Sequence, residues 1–268
     1  MGQVDGAALK AGWKWMMSEL GDYRPVAART APAAELLVEW VGVTAGQRVL
    51  EVASGPGSAA RAAARRHAQV TATDLTPEML DLGRELAAPE GLDIRWLVGD
   101  VEELPLPDND FDLVVSTFGV ECAPQPELVV SELHRVLRPG GTLALAQWRR
   151  AGFMGALAKI FHRWQPLSAG LADPLVWGDD QAVRARLAAG FHDIQTREEV
   201  LEWHFGSTTE LRTFWASHFP PTMAAFAELG ADSRAGLHAD LADLAAAHRD
   251  GDGYRLPLGY LVIRGTAS

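Results

Sequence analysis

The stretch Val49-Leu-Glu-Val-Ala-Ser-Gly-Pro-Gly57, continued by Ser-Ala-Ala-Arg-Ala-Ala-Ala-Arg-Arg66, runs a buried-type strand into a glycine turn and then into an alanine-rich helix. Gly55 and Gly57 let the main chain turn sharply and leave no Cβ between the backbone and a ligand. Behind them, Ala59, Ala60 and Ala63 form a small-residue face that sits closely on a sheet, with Arg61 and Arg65 turned outward. The amino end of the helix favours a negative group on whatever binds there. A turn of this kind cradles a nucleotide-like ligand.

Outward from that turn, short Val- and Leu-rich runs alternate with helical segments between Gln47 and Trp148. The pattern predicts strands at 47–52, 69–74, 92–98, 111–116 and 142–147, and helices at 57–67, 77–88 and 126–137. Such alternation implies an α/β fold with a mostly parallel sheet covered on both faces. The first 45 residues read as helical: Trp13, Met16, Met17 and Leu20 recur at helical spacing, and Ala33, Leu36, Leu37 and Trp40 do so after Pro32. Arg138-Pro-Gly-Gly141 ends one helix and turns the chain into the next strand.

From Trp148 onward the composition changes, with five of the nine Trp, seven of the nine Phe and six of the eight His lying in that part. A helix at 179–189, a strand at 191–201, a helical stretch at 208–249 and a final strand at 258–264 are expected there. The organisation is thus helices over 1–45, a core over 46–150, and 151–268 as the rest of the sheet with cap insertions at about 151–178 and 207–252. The stretch 230–253, acidic and rich in small residues, reads as a solvated helical hairpin.

Composition narrows the function. The net charge of −11 opposes binding to nucleic acid or anionic lipid, which clustered Lys and Arg would drive. Cys122 is the one cysteine, so an internal disulfide framework and a thiolate zinc site are excluded. No long apolar span occurs, and the chain is expected to be cytoplasmic, without membrane insertion. A homodimer is left open. No Asp-Asp or His-rich cluster follows the fourth strand, so no metal is expected.

Taken alone, Gly55-Pro-Gly57-Ser-Ala-Ala60 satisfies a loose dinucleotide fingerprint, with Asp74 about 20 residues beyond Gly55. Pro56 lowers that reading, because a pyrophosphate needs amide donors and proline has none. Carboxylates end three strands: Glu51, then Asp74 in Thr71-Ala-Thr-Asp-Leu-Thr-Pro-Glu-Met79, then Asp100 in Val98-Gly-Asp-Val-Glu-Glu103. Together they can accept hydrogen bonds from an ammonium, a ribose diol and an adenine amine. This series, with Phe111-Asp-Leu-Val-Val-Ser-Thr-Phe118 and Glu132-Leu-His-Arg-Val-Leu-Arg-Pro-Gly-Gly-Thr142, resembles the class I S-adenosylmethionine-dependent methyltransferases, and within them the ubiquinone/menaquinone-biosynthesis-like small-molecule branch.

The resemblance implies a Rossmann-like, doubly wound sheet of seven strands with an antiparallel last strand, plus an aromatic-rich helical cap. It implies S-adenosyl-L-methionine as cofactor, giving S-adenosyl-L-homocysteine as product. Glu51, Gly55 and Gly57 match the turn that faces the methionine part, and Asp74 matches the residue that holds the ribose hydroxyls. Leu75 and Met79 fall beside the adenine, Asp100 and Val101 match the pair that meets its amine and face, and Ser116, Thr117 and Phe118 match the methyl-transfer region. Tyr23 precedes the first motif and could reach the cofactor's carboxylate end. Ala53 stands where the family has its first glycine, so ordinary dihedrals are expected there.

Transfer from a sulfonium needs alignment and exclusion of water more than a base. If a base is used, Glu121, His218 and His162 are the candidates, against plain roles as a helix-end carboxylate and polar tips of a lid. The aromatics Phe153, Phe161, Trp164, Trp177, Trp203, Phe205, Phe214, Trp215 and Phe219 suit either a lining for a small apolar acceptor or the core of the cap. The expected reaction is methylation of a small, largely apolar or aromatic molecule at oxygen or carbon. A nicotinamide-dependent oxidoreductase, and a cofactor-binding regulator or cyclase that transfers no methyl, are the alternatives.

Overall fold

The computed structural model describes residues 6–19, 22–165 and 173–268. Leu20 and the 166–172 part of the expected cap lie outside the described residues, as does the side chain of Trp13. Two helices, α1 (Gly6–Glu19) and α2 (Arg24–Val41), precede the sheet. The core then runs β1 (Arg48–Val52), α3 (Ser58–Ala64), β2 (Gln69–Asp74), α4 (Pro77–Ala87), β3 (Ile94–Val98), β4 (Phe111–Thr117), α5 (Pro126–Val136) and β5 (Leu137–Trp148). After it come α6 (Phe153–Trp164), a 3-10 turn (Pro174–Gly178), α7 (Asp180–Leu187), β6 (Phe191–Phe205), α8 (Thr208–Ser217), α9 (Pro220–Glu228), α10 (Ala231–Ala246), β7 (Arg249–Asp250) and β8 (Gly253–Ala267).

The sheet order is β3-β2-β1-β4-β5-β8-β6, with the two-residue β7 pairing β8. Strands β1 to β5 are parallel, and β8 is antiparallel to both its neighbours. Seven strands thus form the expected doubly wound sheet, and β7 adds a short eighth. The alternation of side chains explains its two covered faces. Val49, Ala72, Val115 and Ala146 face α2, α3 and the cap cluster, whereas Leu50, Val52, Val114 and Leu145 face the cluster containing Val129 and Leu133 of α5 and Val183 of α7. No helix among the described residues is long and apolar enough to cross a membrane.

Several elements differ from the sequence-based expectation. Helix α2 starts at Arg24, with Pro25 in its first turn, and carries Pro32 inside it. Strand β5 begins at Leu137, ahead of the glycine pair, because Leu137 pairs Phe111 before the register shifts at Leu113. Strands β6 and β8 run well past the sheet as one long ribbon, pairing Trp203 with Leu256 and Phe205 with Tyr254. The ribbon's aromatic end gives the cap helices something apolar to pack on.

The stretch 230–253 is not a solvated hairpin. Its helix α10 buries Leu237, Leu241 and Ala245, and Asp240 accepts hydrogen bonds from Trp164 Nε1 at 2.8 Å and Arg163 Nη1 at 2.9 Å. A Cβ at Gly236 would run into the Trp164 ring, so the glycine is what brings α10 close to α6. Spacing alone hid this, because a three-residue apolar stripe in an acidic helix carries a weak signal.

Candidate functional site

Strand order reverses between β1 and β4, and a crevice forms at the carboxyl ends of strands where such a reversal occurs. A cavity of about 270 Å³ lies there. One wall is made by the ends of β1 and β2, the end of β4 at Thr117 and the turns after β1, β2 and β3; the other is made by Phe118, Trp148, Trp203 and the start of α9, with α1 and α2 closing the side.

The turn after β1 is tied by its own main chain. Gly57 N donates to Ser54 O at 2.9 Å, and Ser54 N donates to Thr73 O at 2.9 Å. Ala53 adopts φ +46°, the left-handed region, so the ordinary dihedrals expected from a Cβ at that position are not found. The reason is contact with the turn after β4: a Cβ on Gly119 would collide with the Ala53 carbonyl, so the two segments interlock main chain to main chain. The strained alanine costs about 1–2 kcal/mol. Gly55 (φ +51°) lines the cavity, while Gly57 (φ +72°) does not. Gly57 makes room for Trp96, whose ring would lie 2.5 Å from a Cβ there and 2.5 Å from one on Gly83 of α4. Trp96 is a structural residue that motif reasoning missed.

Glu51 is 1% exposed and accepts hydrogen bonds from Ala59 N at 3.2 Å and Ala60 N at 2.6 Å. It therefore caps α3, and it also lines the cavity. Burial raises its carboxyl to about 8, against the two amides that favour the charged form. Asp74 accepts from Gly55 N at 2.7 Å and Thr76 N at 2.8 Å, and burial pushes its pKa up as well. Leu75, Asp100 and Val101 line the same wall. Lys10 of α1 donates to Asp100 Oδ2 at 2.6 Å and also pairs with Glu102, so α1 is held over the end of β3 by charge. Sequence spacing gave no sign of Lys10, since its partners lie on distant loops.

Tyr23 lines the cavity at the start of α2, with its pKa pushed up by burial. Met79 is buried and does not line the cavity. Ser116 points into the opposite face of the sheet, fully buried. Thr117 lines the cavity instead, and its Oγ1 has no hydrogen-bond partner. Phe118, at φ +57°, stacks on Trp148 with ring centroids 3.6 Å apart and planes 3° from parallel, and Trp203 meets Trp148 edge-on at 6.5 Å. Of the cap aromatics singled out by sequence, Trp203 and Phe219 line the cavity, whereas Phe153, Phe205, Phe214, Trp215 and Trp177 are core. Phe161 and Trp164 pack against that core partly buried.

Of the three candidate bases, Glu121 lines the cavity and His218 and His162 do not. Glu121 Oε2 accepts from Trp148 N at 3.3 Å, and burial, followed by the nearby charge of Asp173, holds its carboxyl well above the usual range. His218 Nδ1 lies 3.2 Å from Asp22 O, joining the cap to the start of α2, and His162 sits on α6.

Residues 50–145 match a family model described as a methyltransferase domain. An uncharacterised protein of Mycobacterium tuberculosis is 35% identical over 235 residues, covering 86% of each chain. The ubiquinone/menaquinone biosynthesis C-methyltransferase UbiE of Dinoroseobacter shibae is 39% identical over 118 residues, 42% of this chain and 47% of that protein. The crystal structure of the YcgJ protein from Bacillus subtilis has the same fold, with a TM-score of 0.61 at 18% identity over 88% of this chain and 97% of that one. With these relatives and this sheet, the chain belongs to the class I S-adenosylmethionine-dependent methyltransferases, in the branch similar to the ubiquinone/menaquinone-biosynthesis enzymes.

Proposed function

We propose that the cavity takes S-adenosyl-L-methionine along the ends of β1, β2 and β3 and transfers its methyl group to oxygen or carbon of a small, largely apolar molecule held under the cap. The observation that carries this reading is the division of one cavity into a polar wall and an aromatic wall. Asp74, Asp100, Gly55 and the unpartnered Thr117 Oγ1 stand on the first; Phe118, Trp148, Trp203 and Phe219 stand on the second.

The residues present suit the cofactor. Gly55 offers a Cβ-free approach, with its nearest neighbour Tyr23 at 3.9 Å from where a Cβ would lie. Asp74 is anchored by two main-chain donors and so offers a fixed carboxylate to a diol, with Leu75 beside it. Asp100 and Val101 give an acceptor and an apolar face to a nucleobase, and Glu51 and Tyr23 face the amino-acid end. When bound, the sulfonium supplies an already activated methyl group. The protein's task is then alignment and the exclusion of water, for which the stacked Phe118–Trp148 pair is a rigid platform. Helices α1 and α2, with the described parts of the insertions at 151–178 and 207–252, act as lid and cap.

Isothermal calorimetry with S-adenosylhomocysteine tests the cofactor half: uptake at one site per chain supports the reading, and none on folded protein ends it. Release of S-adenosylhomocysteine with a panel of phenols and enolisable ketones tests the transfer. Binding without release across the panel supports a cofactor-binding protein that no longer methylates.

A further inference from the structure

The acceptor end of the cavity carries a chemical filter that the methyltransferase fold does not specify. Among the described lining residues the acids are Glu51, Asp74, Asp100 and Glu121, and the one cation is Lys10. Lys10 is already engaged by Asp100 and Glu102, so the walls offer no free cation to a ligand anion. Arg149 and Arg150, which follow Trp148 of the cavity wall, pair with Glu198 at 2.6 Å and with Asp173 at 2.8 Å.

Glu121 stands in this setting with one oxygen spoken for. Its Oε2 takes the Trp148 amide at 3.3 Å, and no described protein group pairs with Oε1, though the residue lines the cavity and is 9% exposed. Besides burial, the nearby anion Asp173 raises its pKa, and on the cavity side Glu121 bears in turn on Tyr23 and Cys122, both with pKa values raised chiefly by burial. A carboxyl so enclosed holds its proton more tightly than a free one, and a buried O–H needs an acceptor. The aromatic pair beside it, Phe118 on Trp148, presents flat apolar surface.

We propose that Glu121 selects the acceptor: through Oε1 it hydrogen-bonds a neutral carbonyl or hydroxyl oxygen on an uncharged aromatic molecule, and a wall that holds acids but no free cation turns away acceptors that carry a carboxylate or phosphate. This rests on the reading of the cavity as a methyl-transfer site. Glu121 is then a donor that positions the acceptor and not a base that deprotonates it. Buried unpaired polar groups discriminate strongly, because a ligand that leaves one unsatisfied loses its full desolvation cost.

The test uses the full chain saturated with S-adenosylhomocysteine and three probes of one shape, 2-acetylnaphthalene, 2-isopropylnaphthalene and 2-naphthoate, measured by equilibrium dialysis at neutral pH. The acetyl compound is expected to bind at least about tenfold more tightly than either of the others. Glu121→Gln, whose amide still donates, should keep the preference over the isopropyl compound; Glu121→Ala should lose it. Naphthoate binding as tightly as the ketone, no binding of the ketone, or an unchanged preference in Glu121→Ala would each overturn the proposal. Failure to bind S-adenosylhomocysteine would instead sink the cofactor reading on which it stands.

Discussion

The two halves of the cavity are built by different physics. The polar wall, proposed for the nucleoside, comes from strand ends and turns tied by hydrogen bonds to main-chain amides and by main-chain contact: Asp74 to Gly55 and Thr76, Glu51 to amides of the first turn of α3, and Ala53 locked against Gly119. The aromatic wall, proposed for the acceptor, comes from side chains at the ends of β4, β5 and β6 and the start of α9, held by ring packing with few polar ties. The first is fixed by local bonding and tolerates little change. The second is fixed by volume, and can be reshaped without disturbing its partner.

That contrast is sharpened most by Asp74→Ala, which removes the proposed diol acceptor together with two loop anchors. Affinity for S-adenosylhomocysteine is expected to fall about 100-fold, or about 3 kcal/mol. Unchanged affinity by calorimetry would show that the nucleoside does not use this wall. Trp203→Leu should act on the opposite side. Losing a ring that is 2% exposed is expected to cost about 2–3 kcal/mol in urea unfolding, while affinity for S-adenosylhomocysteine stays within about twofold. A parallel loss of affinity would erase the distinction between the walls.

The pH behaviour of the nucleoside wall is a third measurement. Burial lifts Glu51 from 4.5 to about 8 in the folded protein, so the folded state holds a proton that the unfolded state releases. Its contribution to stability is complete below pH 4.5 and is lost as pH rises through about 8. The stability difference between wild type and Glu51→Gln should therefore shift across that window in melting experiments, and a constant difference would contradict the assignment. The smallest effect is expected for Ala53→Gly, which relieves a left-handed alanine at φ +46° but loosens the unfolded chain. A net gain of no more than about 1 kcal/mol should appear in denaturant titration.

The same contrast explains how much was legible in the sequence. The strands, their order of use and the acidic strand ends were readable because each is encoded within a few residues: Asp74 ends a β-branched run before Thr-Pro, and the glycine turn follows directly on β1. What resisted reading depends on residues distant in sequence. Lys10 meets Asp100 across 90 positions, and Trp96 needs both Gly57 and Gly83 to find its slot. Ala53 carried the wrong expectation because its strain is imposed by Gly119. His218 and His162 were drawn in by residue type, whereas their positions off the cavity wall follow from how α6 and α8 pack.

The most direct test of the central claim is a crystal structure of the protein with S-adenosylhomocysteine. The ribose hydroxyls are expected on the Asp74 carboxylate, the homocysteine end over Gly55, and the sulfur facing the Phe118–Trp148 pair. The nucleoside bound anywhere other than along the ends of β1, β2 and β3 would contradict that claim.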